Sequence, residues 1–377
     1  KIIHLTKTSK NDTAVILFSS GSEGVPKGVE LSGDNILGNC QQIANIINVD
    51  DEDIIVGSLP LFHAFGIVVT TFLPLIEGIK CVAHPDPTDG LGLGKLVARY
   101  KATIMAGTST FFRLYTKNSR VHPLMFQSLR LVVAGAEKLR VDVRYDFKKK
   151  FGKDILEGYG TSETSPVASC NLPDMLAPDF TIQVGNKIGT VGMAIPGTKI
   201  KIVDPQTFEE LPISEEGMIL ISGIQVMKGY LKNEEKTKEV LKNINGKTYY
   251  VTGDKGKLDK DGFLTIVDRY SRFAKLGGEM ISLGSIEEKI SKILDLAEDS
   301  LVDFIVTSIE DEKKGEKIIL LISNVNQENV AELQEKINRN FDNKLMVPSQ
   351  IKIVDEIPKL GSGKKDFKRA KELASQM

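Results

Sequence analysis

Residues 17–28 read LFSSGSEGVPKG. The run from Ala14 to Phe18 is apolar enough to predict a strand, and small, hydroxylated and glycine residues follow it directly. Gly21, Gly24 and Gly28 permit backbone angles closed to other residues and close approach of a ligand, so that N–H groups can converge on an anion. Ser19, Ser20 and Ser22 add hydroxyl donors, and Lys27 adds a mobile positive charge. The pattern is a cradle for phosphate oxygens. It is not the G-x-x-x-x-G-K-[ST] loop of nucleoside triphosphatases, because Pro26 stands five residues after Gly21 and Gly28 follows Lys27.

Other residues with chemical potential are spread along the chain. His63 lies between Phe62 and Phe65, Tyr159 and Glu163 share the segment LEGYGTSETSP, Asp254 sits in TGD, and Lys364 ends a Gly-Ser-Gly-Lys run. His84 and Asp89 spell H-x-x-x-x-D, the spacing of glycerolipid acyltransferases, in which a His held by an Asp deprotonates a hydroxyl. Two prolines inside that motif make it a turn.

LFSSGSEGVPKG, LPLFHAFG (59–66), VVAGAEKL (132–139), LEGYGTSETSP (156–166), YVTGDKGKLDKDGFLTIVDR (250–269) and PKLGSGKKDF (358–367) resemble, in order, the motifs of the adenylate-forming superfamily. GSEG, RFAKLGGEMISL and LGSGKKDF bring the likeness nearest to the acyl-acyl-carrier-protein synthetase part of bacterial 2-acylglycerophosphoethanolamine acyltransferases. The resemblance implies that Ser19, Ser20, Gly21, Ser22, Gly24 and Lys27 hold the β- and γ-phosphates of ATP. Glu163 would bind Mg2+. Tyr159 would stack on adenine against a wall of Gly135, Ala136 and Glu137, with Gly158, Gly160, Thr161 and Ser162 in the same nucleotide-binding loop. Asp254 and Arg269 would hold the ribose, His63 would gate the carboxylate pocket, and Lys364 would reach the reacting carboxylate and α-phosphate. Glu23 replaces the commoner Thr and is left out of the phosphate site.

The chain has 377 residues, enough for two or three domains, and its 49 basic and 50 acidic side chains give a net charge of −1, which offers no global field for nucleic acid. Three widely spaced cysteines suggest neither a disulfide framework nor a zinc site, as befits a reduced, cytoplasmic setting. Between Asp53 and Glu77 lie 23 residues without Asp, Glu, Lys or Arg, but Pro60 and Pro74 are expected to leave only one short helix there, too brief to cross a bilayer. Relatives carry a long stretch ahead of the phosphate loop. The chain is therefore expected to be an N-terminally truncated piece, with membrane context, at the inner face of the cytoplasmic membrane, entering through upstream segments.

Strand-length apolar runs at 54–59, 79–83, 102–106 and 129–134 alternate with helical spacing at 32–47, 93–100, 109–116 and 141–151, which predicts a doubly wound sheet. From about Gly189 the period becomes two, and a small antiparallel barrel is expected. After Arg272 comes an α+β unit in which Ser285 and Glu288 read as a capping box. The expected organisation is a partial α/β adenylation core at 1–188, a barrel at 189–270 completing the large domain, and a mobile C-terminal domain at 271–377, with Ser271 at the pivot.

The function the resemblance implies is ATP-dependent activation of a fatty acid to acyl-adenylate, then transfer to the phosphopantetheine thiol of acyl-carrier protein. Coenzyme A is the alternative acceptor, and a non-catalytic adenylate-binding module is the alternative from another class. An ammonium aimed at the α-phosphate stabilises charge that develops only during adenylation. Lys364→Ala should therefore cut fatty-acid-dependent pyrophosphate exchange on the order of a hundred-fold. Thioester formation from pre-made acyl-adenylate should be nearly unchanged, and equal loss in both half-reactions of a folded variant would refute the assignment.

Overall fold

The computed structural model describes residues 9–20, 26–276, 279–294, 302–311, 315–325, 329–359 and 365–376. The described residues fall into two compact units, the first made of residues up to Ser19 and from Pro26 to Val267, the second of Ser20 and the residues from Asp268 onward.

In the first unit, β1 (Thr13–Ser20) and β2 (Pro26–Ser32) lead into α1 (Gly33–Ile47). Ser32 caps that helix: its hydroxyl accepts from the Asn35 N–H, and the Asn35 side chain accepts from the Ser32 N–H. There follow β3 (Ile54–Gly57), α2 (Ala64–Ile67), α3 (Leu73–Glu77), β4 (Lys80–Ala83), α4 (Gly90–Tyr100), β5 (Ile104–Gly107), α5 (Ser109–Lys117), β6 (Leu131–Ala134), α6 (Val141–Phe151), β7 (Leu156–Tyr159) and β8 (Ser169–Cys170). A small hairpin, β9 (Met175–Leu176) with β10 (Ile182–Gln183), precedes β11 (Met193–Ala194).

The central sheet runs β11-β8-β7-β6-β5-β3-β4, parallel from β4 to β7 and antiparallel at β8 and β11. Alternate residues of its strands enter different cores. Ile55, Ile104 and Leu131 pack with α1, whereas Val56, Met105 and Val132 pack with Phe112, Phe126, Phe147 and Phe151. A strand buried on both faces gives a continuous apolar run, which is why these strands were legible.

Pro74 does not interrupt the apolar segment as expected. The helical stretch passes through it by way of a π turn over Val68–Phe72 and continues to Glu77. Pro74 is the second residue of α3, where the wider turn leaves room for a residue without an N–H. No helix among the described residues is long and apolar enough to cross a membrane.

Next come β12 (Lys199–Val203), β13 (Gly217–Ser222), β14 (Gly229–Tyr230), α7 (Glu234–Val240), β15 (Leu241–Ile244), β16 (Lys247–Leu258) and β17 (Leu264–Arg269). β14 joins β1 and β2 in a three-stranded sheet, and β16, twelve residues long, pairs with β13, β15 and β17 along its length.

The second unit contains β18 (Phe273–Leu276), β19 (Glu279–Ser282), α8 (Leu283–Leu294), β20 (Asp303–Asp311), β21 (Gly315–Ser323), α9 (Asn329–Asn340), β22 (Gln350–Ile353) and α10 (Phe367–Gln376). Its sheet runs β19-β18-β21-β20 with β22 parallel to β21. Phe304, Val306, Ile318 and Leu320 face α8 and α9, and Ile305, Ile319 and Leu321 face Ala370 and Ala374 of α10. The expected cap of α8 is corrected. Ser282, not Ser285, accepts the first-turn amide, because the helix starts at Leu283 and puts Ser285 and Glu288 inside it.

One ion pair fastens the lower edge of the first unit. Arg130 donates to both oxygens of Asp53, from Nε at 2.8 Å and Nη2 at 2.5 Å, and also to the carbonyl oxygens of Ile47 and Asn48 at the end of α1. Burial alone would raise the Asp53 carboxyl. Hydrogen bonds from Arg130, Thr103 and the Asp50 amide, with the Arg130 charge, bring it down from 3.8 to about 2. A carboxyl whose folded value is depressed contributes stability present above the unfolded value and lost as pH falls through the folded one. Asp53 should thus contribute about 2 kcal/mol at neutral pH, lost between about pH 4 and pH 2. Urea titrations across that range should show this acid limb in the native chain and its flattening in Asp53→Asn; equal slopes would refute it.

Candidate functional site

Counted along the chain, the parallel strands lie in the order 2-1-3-4-5, which reverses direction between β3 and β5. Open α/β sheets bind ligands beyond the carboxyl ends of their strands near such a reversal. The segments that leave those ends carry most of the candidate residues. His63 caps α2 after β3, its Nδ1 accepting from the Phe65 N–H at 3.2 Å. Gly135, Ala136 and Glu137 follow β6, and Gly158 to Glu163 close β7 and the turn after it.

Close packing sets that local geometry. A Cβ on Gly135 would stand 3.1 Å from the Phe65 ring, so the His63 helix and the β6 loop pack closely there and a side chain at 135 would require the ring to shift by a few tenths of an ångström. Ala136 holds φ at +68°, a left-handed conformation that alanine adopts at a cost. The Glu137 carboxylate accepts from the Thr110 N–H at 2.6 Å and so anchors the first turn of α5. Beneath the loop, Glu157 of β7 pairs with Arg144, which also donates to the Ile155 carbonyl at 2.7 Å. Burial nevertheless pushes the Glu157 carboxyl above its ordinary range, against the opposing pull of Arg144 and Lys138.

Asp254 is delivered by a defect in the five-stranded sheet of β12, β13, β15, β16 and β17. Met218 faces Lys255 and Leu220 faces Val251, so Thr252, Gly253 and Asp254 together oppose the single residue Ile219. Gly253 takes φ +75°, Thr252 donates to the Ile219 carbonyl at 2.9 Å, and the Asp254 N–H donates back to the Thr252 hydroxyl at 3.0 Å. The bulge turns the Asp254 side chain to the β7 edge, where the Tyr159 hydroxyl donates to it at 2.5 Å. Nearby, the Tyr230 hydroxyl donates to Glu163 Oε1 at 2.9 Å, and the Lys27 ammonium lies 5.6 Å from the centre of the Tyr230 ring.

The structure therefore brings Lys27, Tyr159, Glu163 and Asp254 into one neighbourhood of the first unit. Tyr230 and Tyr250, which the sequence reading passed over, belong to it. Burial first, then the negative charge of Glu163 and the proximity of Tyr230, Tyr159 and Asp254, hold the Tyr250 phenol well above its usual 10. The apolar-looking strand YYV and the dipeptide GY gave the only signal for these rings. Ser19 and Ser20 end β1; Gly21, Ser22, Gly24 and Lys364 lie outside the described residues. Gly28 is not needed for a special φ: it is in β2, where a Cβ would stand 3.2 Å from Ile16 and Leu231. Arg269 ends β17 in the second unit, and Ser271 lies in the 3-10 turn Tyr270–Arg272.

A profile of the AMP-binding enzyme family matches residues 4–231. The chain belongs to the AMP-binding enzymes. It is 29% identical over 361 residues to the long-chain-fatty-acid–CoA ligase of Yersinia pestis, covering 94% of this chain and 60% of that protein. It is 34% identical over 283 residues to a probable 4-coumarate–CoA ligase of Dictyostelium discoideum, covering 74% and 49%. Among solved structures, ATP-bound MatB from Rhodopseudomonas palustris superposes with a TM-score of 0.83 at 26% identity, covering 99% of this chain and 70% of that one. The o-succinylbenzoate CoA synthetase MenE from Bacillus subtilis, in complex with its acyl-adenylate intermediate, gives 0.80 at 25% identity over 96% and 70%. The chain thus spans about three fifths of the length of the bacterial ligases it matches.

The residues present suit the nucleotide and metal of an AMP-binding enzyme. The Thr161 hydroxyl is buried with no partner among the described residues, as a group awaiting a ligand would be. Glu163 is buried, and its Oε2 accepts no hydrogen bond from a described residue, which leaves a hard oxygen ligand. No group of three His, Cys, Asp or Glu side chains able to hold a metal occurs among the described residues. That is compatible with Mg2+, which commonly takes one or two carboxylates plus substrate phosphates.

The turn after β7 has no spare room. A Cβ on Gly160 would stand 1.6 Å from the Pro166 carbonyl oxygen. Gly160→Ala should force that turn apart, costing about 1–3 kcal/mol and abolishing nucleotide binding. Urea unfolding and AMP calorimetry would show this; a variant with native stability and affinity would refute the packing argument.

Proposed function

We propose that this chain carries out the ATP-dependent activation of a fatty acid and its transfer to coenzyme A. A carboxylate oxygen attacks the α-phosphate, its new P–O bond replacing the bond to pyrophosphate. The coenzyme A thiolate then attacks the acyl carbon, and AMP leaves. The observation that carries the reading is the pair of tyrosine-held carboxylates, Glu163 and Asp254, at the carboxyl edge of the parallel sheet. The sequence alone favoured acyl-carrier protein as acceptor. The Yersinia pestis and Dictyostelium discoideum relatives carry the names of CoA ligases, and coenzyme A is accordingly the acceptor we adopt.

Each residue has a role in this scheme. Ser19, Ser20, Gly21, Ser22, Gly24 and Lys27 hold the β- and γ-phosphates. Glu163, together with those phosphates, would hold Mg2+, whose charge offsets theirs. Tyr159, steadied through its hydroxyl by Asp254, presents its ring to adenine against Gly135, Ala136 and Glu137. Gly158 and Gly160 shape the loop, and Thr161 and Ser162 supply hydroxyls to the nucleotide. Asp254 and Arg269 take the ribose, His63 borders the carboxylate pocket, and Lys364 neutralises charge at the α-phosphate.

The test is pyrophosphate exchange into ATP with a panel of fatty acids, followed by addition of coenzyme A or acyl-carrier protein to the full polypeptide that carries this chain. Exchange that requires a long-chain fatty acid, and thioester formed with coenzyme A, is the expected result. Nucleotide binding without exchange would establish the non-catalytic module. Thioester formed on the carrier protein alone would restore that acceptor.

A further inference from the structure

We propose that Tyr230 is a positioning residue that sets the metal-binding carboxylate and the phosphate-binding lysine in register. This rests on the adenylation reading above, and it adds a residue that neither the sequence motifs nor the family match assigns. Tyr230 is nearly buried, and its two chemical features point to two different candidate groups. Its hydroxyl donates to Glu163 Oε1 at 2.9 Å, and its ring faces the Lys27 ammonium with the centroid 5.6 Å away.

The backbone makes the same connection. Tyr230 pairs with Val29 across β14 and β2, two residues from Lys27, and the Met227 N–H donates to the Glu163 carbonyl at 2.9 Å. The Tyr230 N–H is in turn fixed by the Thr237 hydroxyl at 2.8 Å. Lys27, Tyr230 and Glu163 are therefore linked through main chain and side chain alike.

The hydrogen bond has a directional consequence. A carboxylate whose Oε1 accepts from a phenol has its plane and rotamer restricted, and Oε2 is left for the cation. Without the hydroxyl, Glu163 would have to be ordered at the moment the metal binds. The ring does separate work: the face of an aromatic ring attracts an ammonium, so it holds Lys27 before phosphate arrives.

Calorimetry of ATP binding, with Mg2+ and with EDTA, separates these effects. Tyr230→Phe keeps the ring and loses the hydroxyl, so affinity in Mg2+ should fall about five- to tenfold while affinity in EDTA stays within about twofold, by analogy with other groups that orient a metal ligand. Tyr230→Leu should lose affinity under both conditions. In a Glu163→Gln background the Phe substitution should have no further effect, and Tyr230→His, which keeps a ring and a donor, should recover part of the loss. Thermal melts of every variant identify any global damage. Equal loss with and without metal in Tyr230→Phe, no loss at all, or additivity with Glu163→Gln would overturn the proposal; if Tyr230→Phe fails to fold, Tyr230→His with no metal-dependent loss relative to Tyr230→Leu supports it, and His behaving as Leu overturns it. A native chain that binds no ATP overturns the adenylation reading and this inference with it, whereas native binding with an indifferent Tyr230→Phe overturns this inference alone.

Discussion

Two carboxylates, Glu163 and Asp254, are held almost out of water in the first unit, and each accepts a hydrogen bond from a tyrosine hydroxyl. Taking a carboxylate out of water is costly unless donors replace its hydration, and a neutral phenol is a weaker replacement than a cation. The tyrosine hydroxyls fix the orientation of both carboxylates. Much of the surrounding structure follows from that constraint: a third phenol, Tyr250, is packed against the same charges, and the Thr252–Asp254 bulge exists where one of the carboxylates must be turned inward.

The scaffold meets the constraint with polar residues that the helical pattern of α1 conceals. Asn39 both donates to the Val167 carbonyl and accepts from the Val167 N–H, clamping the chain just after Glu163. Asn35 donates to the carbonyls of Ile224 and Val226 ahead of β14, and Gln42 reaches Pro196. One helix thereby holds the turn that carries Glu163 and the segment that carries Tyr230. In a low-dielectric interior such satisfied amide networks fix one arrangement of the loops, since a slipped register would leave several polar groups unpaired. Arg144 and Glu157 perform the same service under β7, where breaking the pair would leave a buried charge uncompensated.

How much of this was legible depended on the range of the interaction. The doubly buried strands of the central sheet declared themselves as apolar runs. Glu163, Asp254 and Tyr159 could be picked out by the motifs around them. Tyr230 and Tyr250 could not, because their meaning comes from Glu163, 67 residues before Tyr230, and from a strand pairing that no local pattern encodes. Asp268 is a similar case: nothing local marks it, yet it accepts from Ser282 and Gly284 and fixes the start of α8. The Pro74 error has a local cause, since reading proline as a helix breaker assumes the α spacing, and the π turn before it changes that spacing.

Proximity alone does not distinguish a site from a turn, as His84 and Asp89 illustrate. Their H-x-x-x-x-D spacing does bring them together, with Nε2 3.4 Å from Asp89 Oδ2. A general base, however, needs one ring nitrogen on its orienting carboxylate and the other on the proton it removes. Here Nδ1 is 3.0 Å from the Asp86 carbonyl oxygen, while Asp89 Oδ1 accepts from the Gly92 N–H to cap α4. Both nitrogens are engaged by the same short turn, so none faces an acceptor hydroxyl. Glu163 is the opposite case: one oxygen is held by Tyr230 and the other takes no bond from a described residue. The position of the unmatched atom, rather than the closeness of the matched ones, separates the structural turn from the candidate site.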